Sequence, residues 1–289
     1  MSEGAIDGTV SALERLRKAL PATLAIGAVI TAIWVALAAG APLLTSYDPI
    51  KIDVLQALKA PGASHWLGSD AVGRDLLTRI LYGARNDLLM AFFGVVGPII
   101  FGTLIGLVGG YLGGRMDSVL MRIFEVTVSF PYFVLVIAIV AVLGPGLRSY
   151  FISLTLVNWV SYARLVRSET LVLRNADFVL AARTMGFGPI RIMFRHVLPN
   201  SLVPSAVFVM TDAVLTIVLG SSLGFLGLGV QPPTPEWGAM MAEGQTYLTT
   251  AWWITLFPGL AVCSLAHAAG ELVGIGIDTS ARLDDLHIL

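Results

Sequence analysis

The chain is predicted to be an all-α polytopic membrane protein with six transmembrane helices and both termini in the cytoplasm. Composition is the first reason: 56% hydrophobic residues, 13% charged and a mean hydropathy of +0.82 are too apolar for a soluble domain. The second is segmentation. Six apolar stretches, 22–44, 87–112, 118–143, 149–172, 202–228 and 252–277, each reach the roughly 20 residues needed to cross about 30 Å of hydrocarbon. The third is charge. With the amino terminus inside, 12 of the 18 Lys and Arg fall on the cytoplasmic side: Arg15, Arg17, Lys18, Arg115, Arg122, Arg164, Arg167, Arg174, Arg183, Arg191, Arg195 and Arg282.

Residues 1–21 read as a cytoplasmic segment, and 22–44 as an uncleaved first helix, because that apolar run lacks a convincing cleavage site. Residues 45–86 form a long external segment. Within it, Leu76, Leu77, Ile80 and Leu81 recur at helical spacing, which predicts an amphipathic helix lying at the interface before the second span. Residues 87–277 make a five-helix core, and 278–289 a cytoplasmic tail. The second span carries glycines at four-residue spacing, among them Gly102, Gly106 and Gly110, with Pro98 filling one gap in the series. They share one face, a small-residue stripe suited to close helix packing within the subunit or against a partner.

Residues 174–200 interrupt the apolar pattern with a charged, helix-breaking cytoplasmic loop. It contains Asp177-Phe-Val-Leu-Ala-Ala-Arg-Thr-Met-Gly186 and His196-Val-Leu-Pro-Asn200. Gly186 ends a short helix, Pro199 starts a new element, and Ala181 and Ala182 allow another surface to come close. This loop is predicted to dock a soluble partner. No lysine follows a glycine, so the chain holds no P-loop and is not its own P-loop ATPase.

Other chemistries find little support. The net charge of −1 gives no reason to expect nucleic acid, and the single cysteine, Cys263, excludes an internal disulfide framework. His65, His196, His267 and His287 lack metal-ligand spacing, so no metal site is expected. Gly220-Ser-Ser222-Leu-Gly224 fits the pattern of a hydrolase nucleophile elbow, but within a span it lacks the strand-turn-helix setting and reads as helix packing. Glu125, Asn158 and Asp212 lie within predicted spans. Charge in hydrocarbon is costly, so these are candidates for a polar translocation path or a proton relay; the alternative for Glu125 is solvation near a helix end.

Two long strings join the loop in carrying a family resemblance. His65-Trp-Leu-Gly-Ser-Asp-Ala-Val-Gly-Arg-Asp-Leu-Leu-Thr-Arg-Ile-Leu-Tyr-Gly-Ala-Arg85 and Gly224-Phe-Leu-Gly-Leu-Gly-Val-Gln-Pro-Pro-Thr-Pro-Glu-Trp-Gly-Ala-Met…, quoted from residue 224, resemble the dipeptide and oligopeptide branch of ABC-importer permeases, which also handles nickel. The loop resembles the EAA loop of those permeases, and the likeness spans roughly residues 42–262. It points to the second of the two permeases in such importers. Two positions depart from the pattern: Leu180 stands where the EAA glutamate would be and His196 where it has isoleucine. After 262 the sequence differs from the family's usual ending, and no role is carried over there.

The resemblance implies a type I ABC-importer permease fold and a multi-pass location in the cell (inner) membrane of a prokaryote, in contact with membrane lipid. It implies a homologous second permease, two ATP-binding subunits and an extracytoplasmic substrate-binding protein as partners. ATP and Mg would be bound by the partner ATPases, with no cofactor and no catalysis on this chain. Coupling to the ATPase would rest on Asp177, Ala181, Ala182, Arg183, Gly186, His196 and Pro199. The cargo expected is di- or oligopeptide, with nickel, glutathione or another small solute as the alternative. A proton-coupled secondary transporter using Asp212 or Glu125 is the rival class.

Overall fold

In hydrocarbon each backbone N–H and C=O must be satisfied within the protein, so apolar runs free of breakers wind into helices. The computed structural model describes residues 22–287. Helix α1 spans Ala22–Leu44, α2 Leu76–Leu112, α3 Gly114–Ser129, α4 Tyr132–Leu143 and α5 Leu147–Leu173. The loop that follows holds α6, Asp177–Thr184, then α7, Pro189–Ile192, a π-helical turn Met193–Val197, and α8, Leu198–Ser201. Helix α9 is Val203–Phe225, α10 Trp237–Gly244 and α11 Trp253–His287. Among the described residues, four helices are long and apolar enough to cross a membrane: Ala25–Leu44, Leu76–Leu112, Val203–Phe225 and Trp253–Glu271. The bent pair α3 and α4 makes a fifth if it counts as one span. The expected cytoplasmic segment 1–21 lies outside the described residues, and α11 continues through most of the expected tail.

Two expectations need correction. Residues 76–86 do not form a separate helix lying at the interface, because α2 runs without a break from Leu76 to Leu112. Asp75 caps its start by accepting from the Thr78 N–H at 2.8 Å, and the one glycine between Tyr82 and Asp87, Gly83, is held in the helix against Trp237. Arg85 donates to the Ala38 carbonyl at 2.7 Å and Asn86 to that of Pro235 at 2.7 Å, so these polar residues are satisfied in place. At about 1.5 Å per residue the helix is about 55 Å long, so it extends well beyond about 30 Å of hydrocarbon. The second correction concerns 118–143, which is not one straight span. Pro131 holds Phe130 in extended geometry (φ −92°, ψ 141°), and α3 and α4 meet at 91°.

The glycine stripe of α2 lies against α5. A Cβ on Gly102 would collide with the Trp159 carbonyl oxygen, one on Gly106 with that of Ala163, and one on Gly110 would lie 2.9 Å from Thr170 Cβ. Close backbone approach here is within the subunit.

Residues 45–75 and α10 are clamped together by the start of α2. The buried Arg79 guanidinium donates to the carbonyl of Pro49 at 3.3 Å and approaches Glu243 of α10 at 3.4 Å. Arg74 bridges Asp70 at 2.5 Å and Glu243 at 2.8 Å. Trp237 is fully buried beneath this cap. Its indole N–H donates to the Ile80 carbonyl at 3.0 Å, and its ring meets Trp34 of α1 edge-on at 4.8 Å.

Candidate coupling surface and translocation path

Helix α6 starts after Ala176, which is extended, and bears Asp177 in its first turn, where the helix dipole favours a negative charge. It ends because Gly186 takes φ +78°, a left-handed geometry that favours glycine. The Gly186 N–H donates to the Arg183 carbonyl at 2.9 Å and that of Phe187 to Ala182 at 3.1 Å.

One face of α6 is anchored. Val179 and Ala182 are buried against Leu107 of α2, Val166 of α5, and Ile192, Met193 and Val197. The other face is bare: Phe178, Leu180, Ala181 and Met185 are exposed, and Ile190 extends the apolar patch. Arg183, Arg191 and Arg195, all exposed, rim it. The Arg191 guanidinium sits 4.1 Å over the Phe187 ring, which stacks on His196 at 6.0 Å, while Arg183 lies 5.5 Å over Tyr111.

Of the residues expected to couple, Asp177, Ala181, Arg183, Gly186 and Pro199 are exposed. His196 is half-buried in its stack. Ala182 differs from expectation: its small side chain permits α6 to approach its own subunit, and Ala181 is the alanine left facing outward.

Asp212 lies near the middle of α9 and is buried. Its Oδ1 accepts from Asn158 Nδ2 at 2.5 Å and its Oδ2 from the Tyr162 hydroxyl at 2.8 Å. Asp212 and Asn158 line a cavity of about 600 Å³ between the α3–α4 corner, α5 and α9, together with Thr127, Tyr132, Arg164 and Phe208. Glu125 is not in this cluster. It is exposed on α3 and pairs with Arg122 at 3.0 Å. Ser222 donates to the Val218 carbonyl one turn back at 2.7 Å, an ordinary helix bond.

Sequence reasoning passed over a second acidic site. Glu236 caps α10, its two carboxylate oxygens accepting from the N–H groups of Gly238 at 2.6 Å and Ala239 at 2.8 Å. It is fully buried, closely approached by Gly224, and hydrogen-bonded to the buried Asp87 carboxyl of α2. Asp87 also accepts from the Trp237 N–H at 3.3 Å. The only sequence signal was Pro235-Glu236 ahead of a helix, which marks a cap and not a partner 149 residues away.

Burial pushes the Glu236 carboxyl up to about 7, against the pull of the two backbone N–H groups. A carboxyl raised above its ordinary value takes up protons on folding, so the docking of α10 weakens as pH rises from about 4.5 through about 7. Amide exchange of residues 237–244, corrected for intrinsic rates, is expected to be faster relative to the core at pH 8 than at pH 5. Glu236→Gln should flatten that dependence, and an unchanged pH profile in the variant would refute the assignment.

With this geometry in place, comparison with known proteins places the chain. A family profile described as "binding-protein-dependent transport system inner membrane component" matches residues 99–274, more than half of the chain. The dipeptide transport system permease protein DppC of Alkalihalophilus pseudofirmus is 43% identical over 252 residues, covering 87% of this chain and 83% of the relative. The probable D,D-dipeptide transport system permease protein DdpC of Escherichia coli is 40% identical, over 82% and 79%. The glutathione transport system permease protein GsiD of Pectobacterium atrosepticum is 39% identical, over 84% and 81%. The chain therefore belongs to the family of binding-protein-dependent inner-membrane transport components, and is a permease of the dipeptide and oligopeptide branch of ABC importers.

Proposed function

We propose that this permease carries di- or oligopeptides inward, forms half of the translocation path, and takes its driving force from ATPase subunits docked on α6. The observation that carries the coupling reading is the two-sidedness of α6: one face is fixed to α2 and α5, while the other presents an unpartnered apolar patch rimmed by arginines. A rigid-body shift of a subunit gripping that patch would be passed to both spans at once. ATP and Mg sit on those ATPases in this reading. A homologous second permease supplies the other half of the path, and a binding protein delivers cargo from outside.

The six-span topology belongs to the same proposal. Helix α5 carries Arg148, Arg164, Arg167 and Glu169, which keeps it below a purely apolar standard. Its 27 residues nevertheless give about 40 Å of helix, ample to cross, and packing along the α2 stripe shields it from lipid. With both termini inside a prokaryotic inner membrane, α6 faces the cytoplasm, where ATP is available.

Peptide cargo is supported by what the relatives are named for, and the glutathione permease among them favours a peptide-like solute over an ion. A proton-coupled carrier would have no use for the α6 patch.

The test is Ala181→Arg in the reconstituted complex. Binding-protein-stimulated ATPase and peptide uptake are both expected to fall about tenfold or more, the scale of losing one interface hot spot. The subunit should stay folded, because Ala181 faces outward. Wild-type ATPase and uptake in that variant would overturn the docking assignment.

A further inference from the structure

We propose that Asp212 is a subsite for the α-ammonium group of a peptide in transit, held in position by Asn158 and Tyr162; this rests on the peptide-permease reading above. The carboxylate accepts one hydrogen bond on each oxygen, both from neutral donors. A carboxylate offers about four acceptor positions, so about two stay open. Among the described residues, none of the ion pairs involves Asp212, although other carboxylates in the chain find arginine or histidine partners. A buried carboxylate with no cation is costly at membrane depth, and the partner it lacks is one that the cargo can bring.

The surroundings fit a short peptide. A volume of about 600 Å³ falls within the roughly 300–1,000 Å³ of small-ligand sites. Tyr132, Val157, Phe208 and Leu215 give the wall apolar surface for side chains. Arg164 lines the same cavity six residues along α5 from Asn158, an axial offset of about 9 Å. That matches an extended chain of two or three residues at about 3.5 Å each, with its carboxylate at the arginine. A metal ion fits less well, since the cavity gathers a single carboxylate. The mouth is set by exposed residues, Phe130 and Tyr132 among them, which leaves the cavity open to an entering solute.

The experiment compares wild type with Asp212→Asn and Asp212→Glu in proteoliposomes holding both permeases, the ATPases and a dipeptide-loaded binding protein. Stimulated ATPase reports docking and coupling, and peptide delivered per ATP hydrolysed reports passage. Asp212→Asn is expected to lower delivery per ATP about tenfold, the worth of one charge-assisted hydrogen bond, with ATPase within about twofold of wild type. Asp212→Glu, which keeps the charge, should recover part of the loss. Normal delivery in Asp212→Asn would overturn the subsite and leave the peptide reading standing. A parallel loss of ATPase and thermal stability would also overturn it, making Asp212 a packing group. Failure of the wild-type complex to carry any dipeptide would instead bring down the peptide reading itself.

Discussion

Replacing Gly106 by leucine is expected to abolish the folded permease. The added Cβ alone would collide with the Ala163 carbonyl, and backbone cannot rotate away as a side-chain tip can. Overpacking in a well-packed core costs about 1–3 kcal/mol and more where the obstacle is backbone, a large fraction of the roughly 5–15 kcal/mol that holds a domain folded. Helices α2 and α5 would be forced apart, and with them the cluster under α6, to which Leu107 and Val166 contribute. The measurement is the yield of monodisperse, detergent-extracted protein and its thermal midpoint. Gly188→Leu is the control, because a Cβ there has nothing within 4 Å and its φ is −66°. Normal yield and midpoint for Gly106→Leu would show that the stripe does not set the helix spacing.

Trp237→Ala is expected to destabilise the region around α10 and the start of α2 by about 3–5 kcal/mol, the usual cost of deleting a large buried aromatic side chain. The indole touches α1 through Trp34 and caps the Ile80 carbonyl, and Gly83 is small where the ring lies. Its loss leaves a void beneath α10 and an acceptor without its donor. The thermal midpoint should drop, and amide exchange should rise in α10 and in residues 76–84 ahead of the core. Trp237→Phe should recover much of the packing but not the hydrogen bond. A loss below about 1 kcal/mol in the alanine variant would mean that the cap is held by the Arg74, Arg79 and Glu243 ion pairs instead.

The helical class, the approximate spans and the short helix at Asp177 were legible because each depends on local pattern: unbroken apolar runs, a breaker at Gly186, a charged insert. What stayed hidden depends on tertiary register. Ala181 and Ala182 are chemically identical, and packing against Leu107 and Val166 decides which one turns inward. The amphipathic spacing at 76–81 fits an interfacial helix and the first turns of a longer one equally well, and the one glycine that follows, Gly83, packs against Trp237 and does not end the helix. Pro131 was visible in the sequence, yet the apolar run around it concealed the corner. The clustering of Asn158, Tyr162 and Asp212 required the α5–α9 packing, although the cost of charge in a span had already marked Asp212. Asp87 and Glu236 gave no comparable sign of pairing.

Helix α2 has a mechanical consequence. Near its first turn Arg79 grips the clamp with residues 45–75 and α10, and thirty-three residues on, its terminal Leu112 lies just past Leu107 in the floor beneath α6. The clamp and the floor beneath α6 are thus joined by one continuous helix, with no loop between them. Pro98, lacking the N–H that would close a turn, is the compliant point along it. A strut with one soft spot near its middle bends there before it bends elsewhere, and Pro98→Ala would make its two ends move as one.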